Sequence, residues 1–218
     1  MTALAAERLL FVVIDATGLD AKHDDLVAIA FAILDGNLMP LAPATEFAIA
    51  PPPGWRERAS TPAFDRLRRL GLDRECDTAK AVTVAEADRR IAALIDEHCD
   101  ERMPMLIWDA ADLDRCWNIA ETVSNPSQLS VDGYAAARAG FVSDWLAIEL
   151  PKATRRLHPD WIEFESVRRF LFRAMPHHSA SLEIAVSSAE QPSLGRVTQL
   201  ISRYATAREA IVQGLVKS

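Results

Sequence analysis

Six consecutive apolar residues, Leu9–Ile14, run without a polar break into Asp15-Ala16-Thr17-Gly18-Leu19. A continuous run rich in Val and Ile, with no alternation of polar positions, predicts a strand covered on both faces. Such a strand needs packed layers above and below its sheet, which excludes an open antiparallel sheet with one wet face. A second apolar run, Leu26–Leu34, is followed by the turn signal Asp35-Gly36-Asn37. A third strand is expected over Thr45–Ala50, ended by Pro51-Pro52-Pro53-Gly54. Short connections between three successive strands predict an antiparallel meander.

The hydrophobic period then changes from strand-like to helical. Thr61–Leu70 and Val84–Cys99 show helical spacing, and in the second Ala87, Ile91, Leu94 and Ile95 share one face. Thr83 is placed to cap that helix, with Glu86 completing a capping box. Met105–Trp108 reads as a short buried strand, and Asp112–Val123 as a helix stopped at Asn125-Pro126. Further helices are expected around Trp145–Leu150, Ser166–Arg173, Ser181–Glu190 and Leu194–Val216, with a short strand at Trp161–Phe164. Strands first, then helices alternating with strands, predict an α/β fold: a mixed sheet flanked by helices. The 218 residues suit one domain, 1–218, with residues 125–150 read as a helical insertion.

Charge narrows the function classes. The formal net charge is −7, which does not suit tight binding to long duplex DNA through many phosphate contacts. A short nucleotide ligand remains compatible. Cys76, Cys99 and Cys116 are widely spaced and odd in number, so neither a disulfide framework nor a zinc site is indicated. With no apolar run near 20 residues and no signal-peptide pattern, the expected setting is cytoplasmic, without a membrane.

Three separated segments together resemble the DEDDh 3′–5′ exonucleases, DnaQ-like proteins of ribonuclease-H-like fold, and among them oligoribonuclease. The first segment keeps the strand, Asp15 and Thr17-Gly18-Leu19 of the family's Asp-x-Glu-Thr-Thr-Gly-Leu, and lacks the Glu. Ala28 stands where the following strand of the family has a Glu. In the second segment, Leu106 through Asp114 resembles a strand, a small-residue turn and an Asp opening a helix. Asp109 occupies a position the family gives to His or Asn. In the third, His178-Ser179-Ala180-Ser181-Leu182-Glu183 resembles His-x-Ala-x-x-Asp. Leu150-Pro151-Lys152 and Trp161-Ile162-Glu163 resemble the oligoribonuclease Met-Pro-Lys and Leu-Asp positions.

The resemblance implies roles. Asp15, Asp114 and Glu183 would hold metal, His178 would be the general base, and Thr17, Gly18 and Leu19 would approach the substrate. The implied cofactor is Mg²⁺ or Mn²⁺ in a two-metal centre, one ion activating water and the other steadying the leaving oxygen. Two dications close together require several carboxylates to offset their repulsion and supply hard oxygen ligands. A base with near-neutral pKa suits proton removal from water. This chain matches three of four carboxylates. Thr17 offers a neutral hydroxyl, and Glu183 is one methylene longer than Asp. Loss of a bridging carboxylate is expected to weaken or abolish a metal site and to lower hydrolysis by orders of magnitude. Asp160 and Glu165 stand where oligoribonuclease-like enzymes hold terminal phosphate, and carboxylates there repel it.

Two functions follow from the resemblance. One is a divergent exonuclease acting on or binding short or single-stranded nucleic acid, with impaired catalysis. The other is a pseudoenzyme, a nucleotide-binding or protein-interaction module that keeps the fold. Homodimerisation is expected by analogy with oligoribonuclease. Read without the resemblance, Asp15 is a turn acid, Asp114 a surface helix residue, His178 half of a solvated His pair, and Glu183 an acid at a helix start. The five Trp residues read as core or interface fillers. The pairs Arg68-Arg69, Arg155-Arg156 and Arg168-Arg169 read as solvated helix faces, with Arg155-Arg156 the best phosphate candidate.

Overall fold

The computed structural model describes residues 7–18, 20–99, 104–108, 142–164 and 193–217. The expected helices at 112–123, 166–173 and 181–190 lie outside them, as do residues 125–141, Leu19, Asp114, His178 and Glu183.

Strand β1 (Arg8–Ala16) is central, as its unbroken apolar run requires. It pairs antiparallel with β2 (Leu26–Asp35), which pairs antiparallel with β3 (Thr45–Ala48). On its other side β1 pairs parallel with β4 (Met105–Trp108), and β4 pairs parallel with β5 (Trp161–Glu163). The order β3-β2-β1-β4-β5 is a mixed sheet, as expected from the sequence.

The helices follow from periodicity and capping. Short α1 (Trp55–Arg58) precedes α2 (Thr61–Leu70), which ends at Gly71 with φ 78°, a left-handed cap that suits glycine. Helix α3 (Leu72–Glu75) follows directly, and then α4 (Val84–His98). The Thr83 side chain accepts a hydrogen bond from the Glu86 backbone, as the capping motif predicts. The reciprocal half is absent: the Glu86 carboxylate instead takes the guanidiniums of Arg89 and Arg90. Helix α5 spans residues 142–149, and α6 (Pro151–Thr154) follows. The chain ends in the long helix α7 (Ser193–Lys217).

Alternation along β1 sorts its side chains between two layers. Leu10, Val12, Ile14 and Ala16 face a core built with α4, α5 and α6, where Trp145, Leu146 and Leu150 are buried. Leu9, Phe11 and Val13 face the opposite layer, whose cover is α7 through Val197, Leu200, Ala207 and Ala210. On β2 that same face carries Ala30 and Ala32, small side chains that let α7 approach the sheet closely. Phe11 meets Tyr204 edge-on at 5.3 Å, and the Arg203 guanidinium lies 5.3 Å over Phe164. Trp55, Trp108 and Trp145 are core residues, as expected of fillers, whereas Trp161 on β5 is 40% exposed.

Candidate functional site at the end of strand β1

The same alternation decides where Asp15 points. It continues the series Leu9, Phe11, Val13, so its carboxylate enters the α7 layer and not solvent. The register shifts between Asp15 and Ala16, an irregularity at the end of the paired strand. Asp15 is only 1% exposed. Its cross-strand partner is Ala28, fully buried at the position where the resemblance expects Glu. The Ala28 side chain brings no second carboxylate to Asp15.

Three groups converge on the Asp15 carboxylate. Arg66 of α2 donates Nη1–H to Oδ1. Arg196, in the first turn of α7, donates Nη2–H to Oδ2. Ser193, the first residue of α7, donates its hydroxyl to the same Oδ2 at 2.6 Å. Arg196 Nη2 also reaches the Ser193 hydroxyl oxygen at 3.4 Å, tying the two α7 residues together. Both arginines are 7% exposed. Burial by itself would push the Asp15 carboxyl up. The adjacent Arg196 and Arg66 guanidiniums and the hydrogen bonds from Ser193 and Arg66 overcome it and hold the group below its ordinary 3.8.

Glu46 on β3 borders this cluster. Burial pushes its carboxyl above the ordinary range, Ser193 and Arg196 pull it back, and the charges of Glu75 and Asp15 add to the rise.

The turn after Asp15 is closed by main-chain bonding. The Thr17 backbone N–H donates to the Asp25 carbonyl at 2.9 Å, and the Thr17 hydroxyl accepts from the Asp25 N–H at 2.8 Å. Thr17 is 1% exposed, so its side chain braces the loop. Gly18 lies against Asp24: a Cβ there would fall 1.9 Å from that carboxylate, whose Oδ2 accepts from the Asp20 N–H. Asp25 itself pairs with Arg58 at 2.8 Å.

These residues do not fit the dications that the resemblance implies. A +2 ion bound to Asp15 would stand roughly 4 Å from a guanidinium. Unit charges there repel by about 4 kcal/mol at an effective dielectric of 20, so a dication and a guanidinium repel by about 8. Carboxylate neighbours offset such repulsion in a metal centre, whereas Arg66 and Arg196 add to it. Among the described residues, no group of three or more His, Cys, Asp or Glu side chains is arranged to hold a metal ion.

Arg66, Ser193, Arg196 and Glu46 carry the site's electrostatics and were not singled out by sequence motif. A signal for the arginines exists. Arg66 falls on the apolar face of α2 beside Ala63 and Leu67, and Arg196 shares a helical face with Leu200 and Arg203. A long charged residue on a buried stripe demands a counter-charge. Ser193 and Glu46 carry no comparable mark. Of the phosphate candidates, Arg156 is bound to Asp96 at 2.6 Å and to the Lys152 carbonyl at 2.8 Å. Exposed Asp160 lies beside His158 at 3.6 Å.

The oligoribonuclease of Corynebacterium glutamicum (strain R) is 24% identical over 170 residues, covering 78% of this chain and 65% of that protein. This similarity supports a relationship to the DEDDh exonucleases. The chain spans less than two thirds of that oligoribonuclease's length, 65%. No family model matches the sequence. Among solved structures, a product-bound exonuclease I aligns over 93% of this chain and 42% of its own, with a TM-score of 0.47 and 13% identity. Among the described residues, no helix is long and apolar enough to cross a membrane.

Proposed function

We propose that this protein is a non-catalytic descendant of the DEDDh exonucleases, one exonuclease-like domain that binds short or single-stranded nucleic acid without metal-dependent hydrolysis. The observation that carries this reading is the state of Asp15: both carboxylate oxygens accept hydrogen bonds from buried guanidiniums. Thr17, at the truncated end of the first motif, supports it, because its hydroxyl is committed to the Asp25 backbone. The retained Thr17-Gly18 turn and the relation to an oligoribonuclease support a short oligonucleotide or nucleotide as ligand. The buried free thiols of Cys76 and Cys99 support a cytoplasmic setting.

Two assays test the proposal with folded protein. Short RNA and DNA oligonucleotides are incubated at high protein concentration with Mn²⁺ or Mg²⁺. The expected result is no release of mononucleotides, and metal-dependent release would refute the loss of hydrolysis. The same oligonucleotides in EDTA are then titrated by fluorescence anisotropy. Saturable binding is expected, and its absence would leave a protein-interaction module as the better account. Sedimentation in the same buffers tests the homodimer expected by analogy.

A further inference from the structure

Asp15 accepts from two structural elements that lie far apart in the chain, α2 through Arg66 and the first turn of α7 through Ser193 and Arg196. Each of those three residues is at least nine-tenths buried. Helix α7 is also seated by apolar contacts of Val197 and residues beyond it, by Arg203 over Phe164, and by Arg208, which donates to the Gly36 carbonyl. A carboxylate offers about four lone-pair positions, and three donors already use this one.

We propose that Arg66 and Arg196 are built-in counter-cations standing where related enzymes hold dications, and that with Ser193 they form a clasp on Asp15 that docks the first turn of α7. Dication binding at Asp15 and docking of that turn are then mutually exclusive. This inference deepens the loss of hydrolysis proposed above and rests on it. The metal-holding acid of the ancestral site has become a structural anion, so the chain folds without metal. The arrangement has a physical logic. Guanidinium is planar, permanently charged and weakly hydrated, so it tolerates burial against a carboxylate better than other protein cations. Ser193 fills a remaining lone pair.

The test uses the full-length chain. Thermal unfolding is followed in EDTA and in millimolar Mn²⁺ for the native protein and for Asp15→Asn, Ser193→Ala and Arg196→Met. Amide exchange is measured over residues 193–200. The native midpoint is expected to be the same in EDTA and Mn²⁺. Asp15→Asn and Arg196→Met are expected to lower it by several degrees. All three variants are expected to speed exchange in the first turn of α7 by about tenfold or more, the equivalent of losing a hydrogen bond to a charged group. If Asp15→Asn fails to fold, Ser193→Ala exchange and the native protein's response to Mn²⁺ still decide the matter. A midpoint that rises with Mn²⁺ in the native protein and not in Asp15→Asn overturns the clasp. So does unchanged exchange at residues 193–200 in every variant. Parallel oligonucleotide cleavage separates the two claims: hydrolysis by a protein whose midpoint ignores Mn²⁺ overturns the proposed function and leaves the clasp standing.

Discussion

Asp15→Asn distinguishes a structural anion from a metal ligand by the sign of its effect. Asn keeps the shape of Asp and removes the charge. Its amide also replaces one acceptor oxygen with a donor, which must face either Arg66 or the Arg196–Ser193 pair. Removing one partner of a buried ion pair costs about 3–5 kcal/mol, because the remaining charge stays buried. Here two guanidiniums share one carboxylate, so the two losses are coupled and do not simply add. We therefore expect a loss of about 3–5 kcal/mol, against a typical total stability of about 5–15 kcal/mol. For a chain of this size that lowers the midpoint by roughly 6–20 °C. In an empty cluster of metal-binding acids the same substitution relieves repulsion and leaves stability equal or higher. Urea unfolding in EDTA gives the answer as a change in midpoint at constant slope. An Asn variant as stable as the native protein would refute the reasoning. Acid should reproduce the substitution. The folded carboxyl lies below 3.8, so its contribution is intact above the unfolded value and is lost as pH falls through the folded one.

Other consequences are smaller and independent. Ser193→Ala removes a 2.6 Å hydrogen bond to a charged acceptor and should cost about 1.5–3 kcal/mol by the same urea assay. Asp88 of α4 accepts the backbone N–H groups of Lys152 and Ala153 at 3.2 and 2.9 Å, capping α6 from a distance. Asp88→Ala should cost about 1–2 kcal/mol, as loss of a helix cap does. Burial pushes the Cys76 thiol from 9.0 up to about 12. That shift of about three units predicts a thiolate fraction roughly 10³-fold lower at pH 8, so native Cys76 should resist alkylation and react once unfolded.

The strands were legible because burial on both faces leaves an unmistakable composition. Leu9–Ile14 is expected as a covered strand and is the center of β1, and Met105–Trp108 matches β4. The Thr61–Leu70 helix, expected from its helical spacing, matches α2. Glu86 shows where local reasoning stops. Two arginines one helical turn downstream compete for the carboxylate that a capping box would send backward. At the site, Asp15 was legible from its place at a strand's end, but its partners were not. Arg66 is 51 residues away and Arg196 is 181, so no local motif links them to Asp15. Their buried helix faces advertised a need for an anion without naming which one. Ser193 gave no sign, because a serine at a helix start is ordinary. Asp114, His178 and Glu183 fall outside the described residues, so the expectation that they join Asp15 rests on the resemblance.

The most direct measurement is an anomalous difference map around Asp15 from crystals soaked in Mn²⁺. The account predicts guanidinium density from Arg66 and Arg196 on the two carboxylate oxygens, the Ser193 hydroxyl in place, and no anomalous peak. A manganese peak within coordination distance of Asp15, with either arginine swung away, would contradict it.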